Sequence, residues 1–301
     1  MKKVILSMVL TLAASVAMAT DTVKVYGVVD AGVSKETGST TKLESGIKSG
    51  SFIGVKGSEK LDRDTKVFFV LENGFDLDTG TTSKTGLRQS YIGISDDTYG
   101  SVKLGRQFSP IYDTLKSLDP MAVNLAGNIG KQLPYEKSTS NTVSYTAPTL
   151  VKGVSATVAY SFAEDSKRQV GLATSYTDGP LTASIAYANV DNVSHQTVYG
   201  ATYDFTSFKG HALYANVRSP LTDSRDYMLG ASVPTGSGVV SASVVRKFEY
   251  IKTGLGQTQV ALAYVHPLSK RTSLYTSASH TYKQGKIRDT NAVNAGINVL
   301  F

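Results

Sequence analysis

Apolar and small polar side chains alternate along most of this chain, and a two-residue rhythm is the period of an extended strand, not of a helix. From Val154 to Phe162 one face reads Val154, Ala156, Val158, Tyr160 and Phe162, and the other Ser155, Thr157, Ala159 and Ser161. Leu181, Ala183, Ile185 and Tyr187 share a face against Thr182, Ser184, Ala186 and Ala188. The chain ends the same way, with Val293, Ala295, Ile297, Val299 and Phe301 opposed to Asn294, Gly296 and Asn298. Turn signals such as Thr177-Asp178-Gly179-Pro180, Pro234-Thr235-Gly236-Ser237-Gly238 and Asp96-Asp97-Thr98-Tyr99-Gly100 divide the rhythm. Sixteen candidate strands result, near 22–34, 46–57, 64–75, 85–95, 99–108, 140–147, 153–163, 168–177, 181–190, 196–206, 208–218, 225–233, 238–249, 257–266, 271–282 and 290–301. The fold class is all-β.

Alternation alone also fits a soluble sandwich, whose apolar faces would form the core. Three features favour a transmembrane antiparallel β-barrel of about 16 strands, with lipid outside and water inside. The polar faces are rich in Ser, Thr, Ala, Gly and Asn, which suits a crowded wet lumen. Many strands reach ten residues or more, as tilted membrane strands must. Aromatic residues sit near strand ends on the apolar face (Tyr160, Phe162, Tyr187, Tyr203 and Phe205), the positions of interfacial girdles. The even strand number puts both termini on the periplasmic side.

The first residues are of another kind. Lys2 and Lys3 precede a charge-free apolar stretch, Val4 to Ala19, that ends in the small-x-small pattern Ala17-Met18-Ala19. This is the layout of a cleaved secretory signal, too short for a spanning helix, which needs about 20 residues. Residues 1–19 are therefore read as a signal peptide and residues 20–301 as the barrel. Beyond residue 19 no apolar stretch is long enough for a transmembrane helix.

Without Lys2 and Lys3 the 31 basic residues fall to 29 against 24 acids, a mild excess with no basic cluster of the kind that nucleic-acid binding needs. Cysteine is absent, which excludes disulfides, thiol catalysis and Cys-based zinc sites. His195, His211, His266 and His280 are scattered without metal-ligand spacing, and Gly236-Ser237-Gly238 and Gly254-Leu255-Gly256 read as turns rather than phosphate loops. No enzyme activity, metal or cofactor is expected. A barrel enzyme with a Ser/His or acid/His cluster, and a soluble secreted β-protein, remain as alternative readings.

One connection stands apart: residues 109–139 contain Pro110, Pro120 and Pro134 and show no sustained alternation. A stretch of about thirty residues without strand rhythm is long enough to be functional. Before it run Val25-Tyr26-Gly27-Val28-Val29-Asp30-Ala31-Gly32, then Ile53-Gly54-Val55-Lys56-Gly57-Ser58-Glu59, then Phe69-Val70-Leu71-Glu72-Asn73-Gly74-Phe75. Tyr91-Ile92-Gly93-Ile94, Val102-Lys103-Leu104-Gly105-Arg106-Gln107 and Tyr112-Asp113 follow in order. This ordered set resembles the general porins of Gram-negative bacteria, in the branch found in Neisseria, Burkholderia and their relatives. From residue 140 onward the resemblance rests on strand rhythm and the terminal Phe301.

The resemblance implies an outer-membrane diffusion channel for ions and small hydrophilic solutes, assembled as a homotrimer in outer-membrane lipid. It implies that 109–139, the third long loop, folds into the lumen and narrows it. It also implies that Phe301 is the C-terminal aromatic read by the barrel-assembly machinery. Basic wall residues would face acidic loop residues across the narrowing, where a low-dielectric throat magnifies each charge. The wall candidates are Arg106, Arg88 and Lys56; the loop candidates are Asp113, Asp119 and Glu136. Strict alternation puts Arg106 on the face of Val102 and Leu104, pointing outward, so lumen placement needs a bulge or bend at Gly105. Both arginines could otherwise cap strand ends at the lipid headgroups, and each loop acid could be a solvated charge. Two departures from the family pattern matter: Phe52-Ile53 stands where relatives carry an arginine, and Met121-Ala122-Val123-Asn124-Leu125-Ala126 replaces the acidic Pro-Glu-Phe-Gly-Gly motif. With loop acids thinned and the chain basic, weak anion preference is expected.

Overall fold

The computed structural model describes residues 22–164, 167–220, 222–250, 256–285 and 287–301; the expected signal peptide, residues 1–19, lies outside the described residues. The wall begins with β1 (Thr22–Glu36), β2 (Lys42–Ser45), β3 (Phe52–Lys60), β4 (Thr65–Asp76), β5 (Thr81–Asp96) and β6 (Gly100–Phe108). A helix, α1 (Pro110–Leu118), opens the long connection to β7 (Ser138–Thr146). Then follow β8 (Val154–Ser161), β9 (Gln169–Asp178), β10 (Leu181–Val190), β11 (Ser194–Asp204) and β12 (Lys209–Arg218). The wall is completed by β13 (Asp223–Thr235), β14 (Gly238–Glu249), β15 (Gln257–Pro267), β16 (Thr272–Lys283) and β17 (Thr290–Leu300). β1 pairs antiparallel with both β2 and β3, each strand from β3 onward pairs antiparallel with the next, and β17 returns to β1, from Val28↔Leu300 to Glu36↔Ala292. The sheet closes on itself as a barrel.

Seventeen segments make sixteen wall strands because β2 and β3 are two halves of one. The lower half of β1 pairs with β3 (Thr22↔Ser58 to Val28↔Phe52), and its upper half with β2 (Ala31↔Ser45 to Ser34↔Lys42). Alternation suggests a continuous strand over 46–57; the structure breaks it at 46–51. The break has a cause in Asp30, which is fully buried. Its carboxylate accepts from Tyr275 Oη (2.9 Å), Asn298 Nδ2 (3.0 Å) and the Lys48 amide (3.3 Å), and its carbonyl accepts from Gly46 N (2.9 Å). Gly46 has φ +72°, and Ile47 turns inward against Met121, Leu125 and Tyr275. Asp30 thus ties the first strand, the inward kink and the closing strands into one polar seam.

The outer surface is apolar to a degree that water would penalise: Val23 is 67 % exposed and Leu229 68 %. Tyr199, Tyr214 and Tyr227 lie in register on β11, β12 and β13, with ring centroids 6.2 and 5.0 Å apart. Near the opposite rim Phe205 packs on Tyr203 and on Phe208, both at 4.6 Å. Such aromatic rows mark the two membrane interfaces.

Candidate functional site: the throat of the barrel

The connection between β6 and β7 folds into the lumen because its sequence builds an apolar ridge and the wall opposite provides an apolar seat. Ser109 caps α1 by accepting from the Tyr112 amide (3.3 Å), and Pro110 occupies the first turn, where its missing N–H costs nothing. Ile111, Leu115 and Leu118 line one helix face and are almost fully buried, followed by Met121 and Ile129 farther along. The seat of Ile111, Leu115, Leu118 and Ile129 is the inner face of β10 to β14, including Ala186, Ala188, Val198, Leu213, Ala215 and Met228, while Met121 packs with Ile47, Leu125, Ala263 and Tyr275. Two glycines permit the close approach. A Cβ at Gly200 would lie 2.4 Å from Leu118 Cδ1, and one at Gly230 2.7 Å from Pro120 Cγ. Directional bonds complete the docking: the Ala126 amide donates to Ser277 Oγ (3.0 Å), His211 Nδ1 lies 2.9 Å from the Leu118 carbonyl, and Lys247 Nζ donates to the Gln132 carbonyl (3.0 Å).

Asp119 holds this loop in shape. Its Oδ1 accepts from the Met121 amide (3.0 Å), and its Oδ2 from the amides of Val123 (3.1 Å) and Ile129 (3.0 Å). Burial pushes its carboxyl up to about 6 against those three donors, so at neutral pH it is still the ionised acceptor. The left-handed backbone at Ala122 (φ +51°) and Val123 (φ +61°) lies inside the same turn.

The sequence-derived candidates divide among three levels of the lumen. Arg88 sits on the wall beside the loop: its guanidinium lies 4.1 Å from the Phe52 ring centroid and 5.2 Å from that of Phe108. Nη1 donates to the Gly50 carbonyl (3.1 Å), and Nε is 2.8 Å from Glu72 Oε2, off the N–H axis, so that contact is ionic rather than a hydrogen bond. Glu136 and Arg106 line the same recess, with Asp76 and Lys137. Arg106 pairs with Ser90, in step with Leu104↔Ile92, both exposed outward; the β6–β7 ladder skips it, and Gly105 has φ +127°. Its Nε donates to the Leu87 carbonyl (2.8 Å) and Nη1 to Ser140 Oγ (2.7 Å). Asp113 projects from α1 into a cavity of about 260 Å³ that Lys103 also lines. The water it meets is that of an enclosed lumen, so burial within the barrel raises its pKa despite its exposure, while Lys103 and Lys116 oppose the rise. Lys56 lies nearer the periplasmic end, 4.5 Å above the Tyr26 ring. Phe301 is pinned at the closing seam: its amide donates to the Gly27 carbonyl (3.2 Å) and its carbonyl accepts from Gly27 N (3.1 Å).

A closed barrel narrowed from within by a docked loop is the architecture of a pore, and comparison with known proteins agrees. The family model for Gram-negative porins matches residues 6–286. The chain belongs to the Gram-negative porin family. It is 29 % identical to the outer membrane porin protein 32 of Delftia acidovorans over 91 % of this chain and 88 % of that one. It is 24 % identical to an outer membrane porin protein of Bordetella pertussis over 99 % of both chains. Among solved structures, an anion-selective porin from Comamonas acidovorans superposes with a TM-score of 0.82 at 24 % identity, covering 93 % of this chain and all of that one. The protein is thus an outer-membrane porin, a water-filled channel through which ions and small hydrophilic solutes diffuse.

Several charged residues of this porin's lumen escaped sequence reasoning, Glu72, Lys103 and Lys137 near the loop among them. Glu72 is nearly buried, and besides Arg88 it accepts from Gln89 Nε2 (2.9 Å) and Tyr26 Oη (2.7 Å). Lys103, on the same strand as Arg106, faces inward over Tyr91 at 5.3 Å. Lys137 lies 5.3 Å from the Tyr112 ring, and burial, with Arg88 and Lys116 nearby, lowers its pKa to about 8. Alternation carried a signal for Glu72 and Lys103, since both fall on the polar phase of their strands; Lys137 lies outside any rhythm.

Proposed function

We propose that this porin favours small anions. The observation that carries the reading is how the acids around the loop are occupied. Asp119 spends its carboxylate on three backbone amides, and Glu72 is shared by Arg88, Gln89 and Tyr26. Lys103, Lys116, Lys137 and Arg106 are in no ion pair among the described residues, while Asp76, Asp113 and Glu136 are the acids around the loop that are likewise in none. In a narrow channel with low-dielectric walls, that excess raises the local concentration of anions and excludes cations. Arg88 and Lys137 act at the narrow level over the aromatic floor of Phe108 and Tyr112, Arg106 and Glu136 act at its rim, and Lys56 acts toward the periplasm. Asp119 acts indirectly, by fixing the loop that sets the bore.

The wider reading includes export by cleavage after Ala19, assembly of the barrel through Phe301, and function as a homotrimer in outer-membrane lipid. One solved porin of this fold, an OmpT of Vibrio cholerae, is described in a trimer form. The chain acts as a channel and not as an enzyme, in keeping with relatives that are porins. Liposome swelling with equal-sized anionic and cationic solutes tests the preference. Faster swelling with the anion is expected, and equal or reversed rates would reject it.

A further inference from the structure

The periplasmic end of the lumen carries a second set of charges, remote from the loop. Lys24 and Lys56 stand directly opposite one another in the β1–β3 register, and Lys60 stands opposite Lys66 in the β3–β4 register. All four fall on the inward phase of their strands, since Val23, Val25 and Ile53, on the other phase, face lipid. Directly opposed residues bring their Cβ atoms to about 5 Å, and like charges there destabilise a sheet. Two such pairs on adjoining strands are a cost that folding alone does not explain.

The nearby acids do not relieve it. Asp62 turns its Oδ1 to the amides of Asp64 (2.9 Å) and Thr65 (2.8 Å). Asp96 accepts from Thr65 Oγ1 (2.8 Å) and from the amides of Thr98 (2.8 Å) and Tyr99 (3.0 Å). Glu59 falls on the outward phase of β3, and none of the four lysines is in an ion pair among the described residues. Lys24, Lys56 and Lys66 instead line one cavity of about 410 Å³, with Ser58, Ser95 and Ser101 also in its wall and no carboxylate.

We propose that this mouth is a binding site for a multivalent oxyanion of the phosphate class, held by the ammonium groups of Lys24, Lys56 and Lys66 and the serine hydroxyls of the same wall. A divalent anion gains from each ammonium about twice what chloride gains at the same distance, so the site discriminates by charge and not only by sign. The site would hold multivalent anions at the periplasmic exit after they clear the throat. The proposal rests on the reading of the lumen as a pore, but its chemistry is separate from that of the throat.

Calorimetric titration of the detergent-purified full chain with inorganic phosphate tests it, using the wild type, K24Q/K56Q/K66Q and, as a throat control, R88Q. Heat-modifiable gel mobility reports that each barrel is folded. Phosphate is expected to bind the wild type and R88Q alike, and the triple variant about tenfold more weakly, equivalent to about 1.4 kcal/mol. Should the triple variant not fold, K66Q alone is expected to weaken phosphate by about twofold or more. No binding by the wild type, equal binding by the lysine variants, or loss of binding in R88Q would overturn the assignment. Channel conductance in chloride without phosphate, measured on the same preparations, shows separately whether the pore reading holds.

Discussion

Asp119→Ala should loosen the constriction loop while leaving the barrel intact. The substitution removes the acceptor of three buried amides, those of Met121, Val123 and Ile129. A buried donor left without a partner costs roughly 1–3 kcal/mol. Three together destabilise the docked loop by about 3 kcal/mol at the low end of that range. That changes the ratio of docked to displaced loop by about a hundredfold. The wall ladder is untouched, so heat-modifiable mobility should match the wild type. In planar bilayers the variant should show larger unitary conductance or frequent transitions between levels, because the obstruction is no longer held in one place. Asp119→Asn, which keeps one acceptor oxygen, should fall between. A steady conductance equal to the wild type in Asp119→Ala would refute the role given to the three amide bonds.

Lys137 makes anion preference depend on pH: a base with its pKa lowered to about 8 is charged below that value and neutral above it, so preference should fall as pH rises from 7 to 9. Lys137→Arg should keep the preference and abolish that dependence, which reversal potentials measured across the pH range would show. Glu72→Gln removes the ionic partner of Arg88 and should shift the reversal potential further toward anions, with the guanidinium still stacked on Phe52. Gly200→Val should lift Leu118 from its seat, at a cost of about 1–3 kcal/mol for overpacking; the check is proteolysis of the loop in the folded barrel, faster than in the wild type.

The wall was legible because lipid outside and water inside impose one simple period on every strand. The sixteen segments, their closure and the exceptional 109–139 connection all follow from that period and its interruption. What alternation missed arose where a third environment entered the barrel. Val198, Leu213 and Met228 are apolar on the inward phase, where water alone would favour polar groups, because α1 and its following turns cover them. With Tyr199 and Leu229 on the other phase, these strands are apolar on both faces, and that doubled pattern is a signal for a docked loop. The kink at 46–51 was hidden for a different reason. It is dictated by Asp30, on the preceding strand, and by Tyr275 and Asn298 across the closing seam. The charges were harder still: residue type and phase put Arg88 and Glu72 on their strands, but only three-dimensional geometry shows that Glu72 offsets Arg88 and that Asp119 points into its own loop.

The most direct test of an anion-favouring pore is single-channel recording of the purified protein in planar bilayers, with the reversal potential taken under a potassium chloride gradient. Stepwise ohmic openings, with a reversal potential of the sign set by chloride, are expected. Openings that reverse at the sign set by potassium would contradict the charge reading of the throat, and a folded barrel that passes no current would contradict the open channel itself.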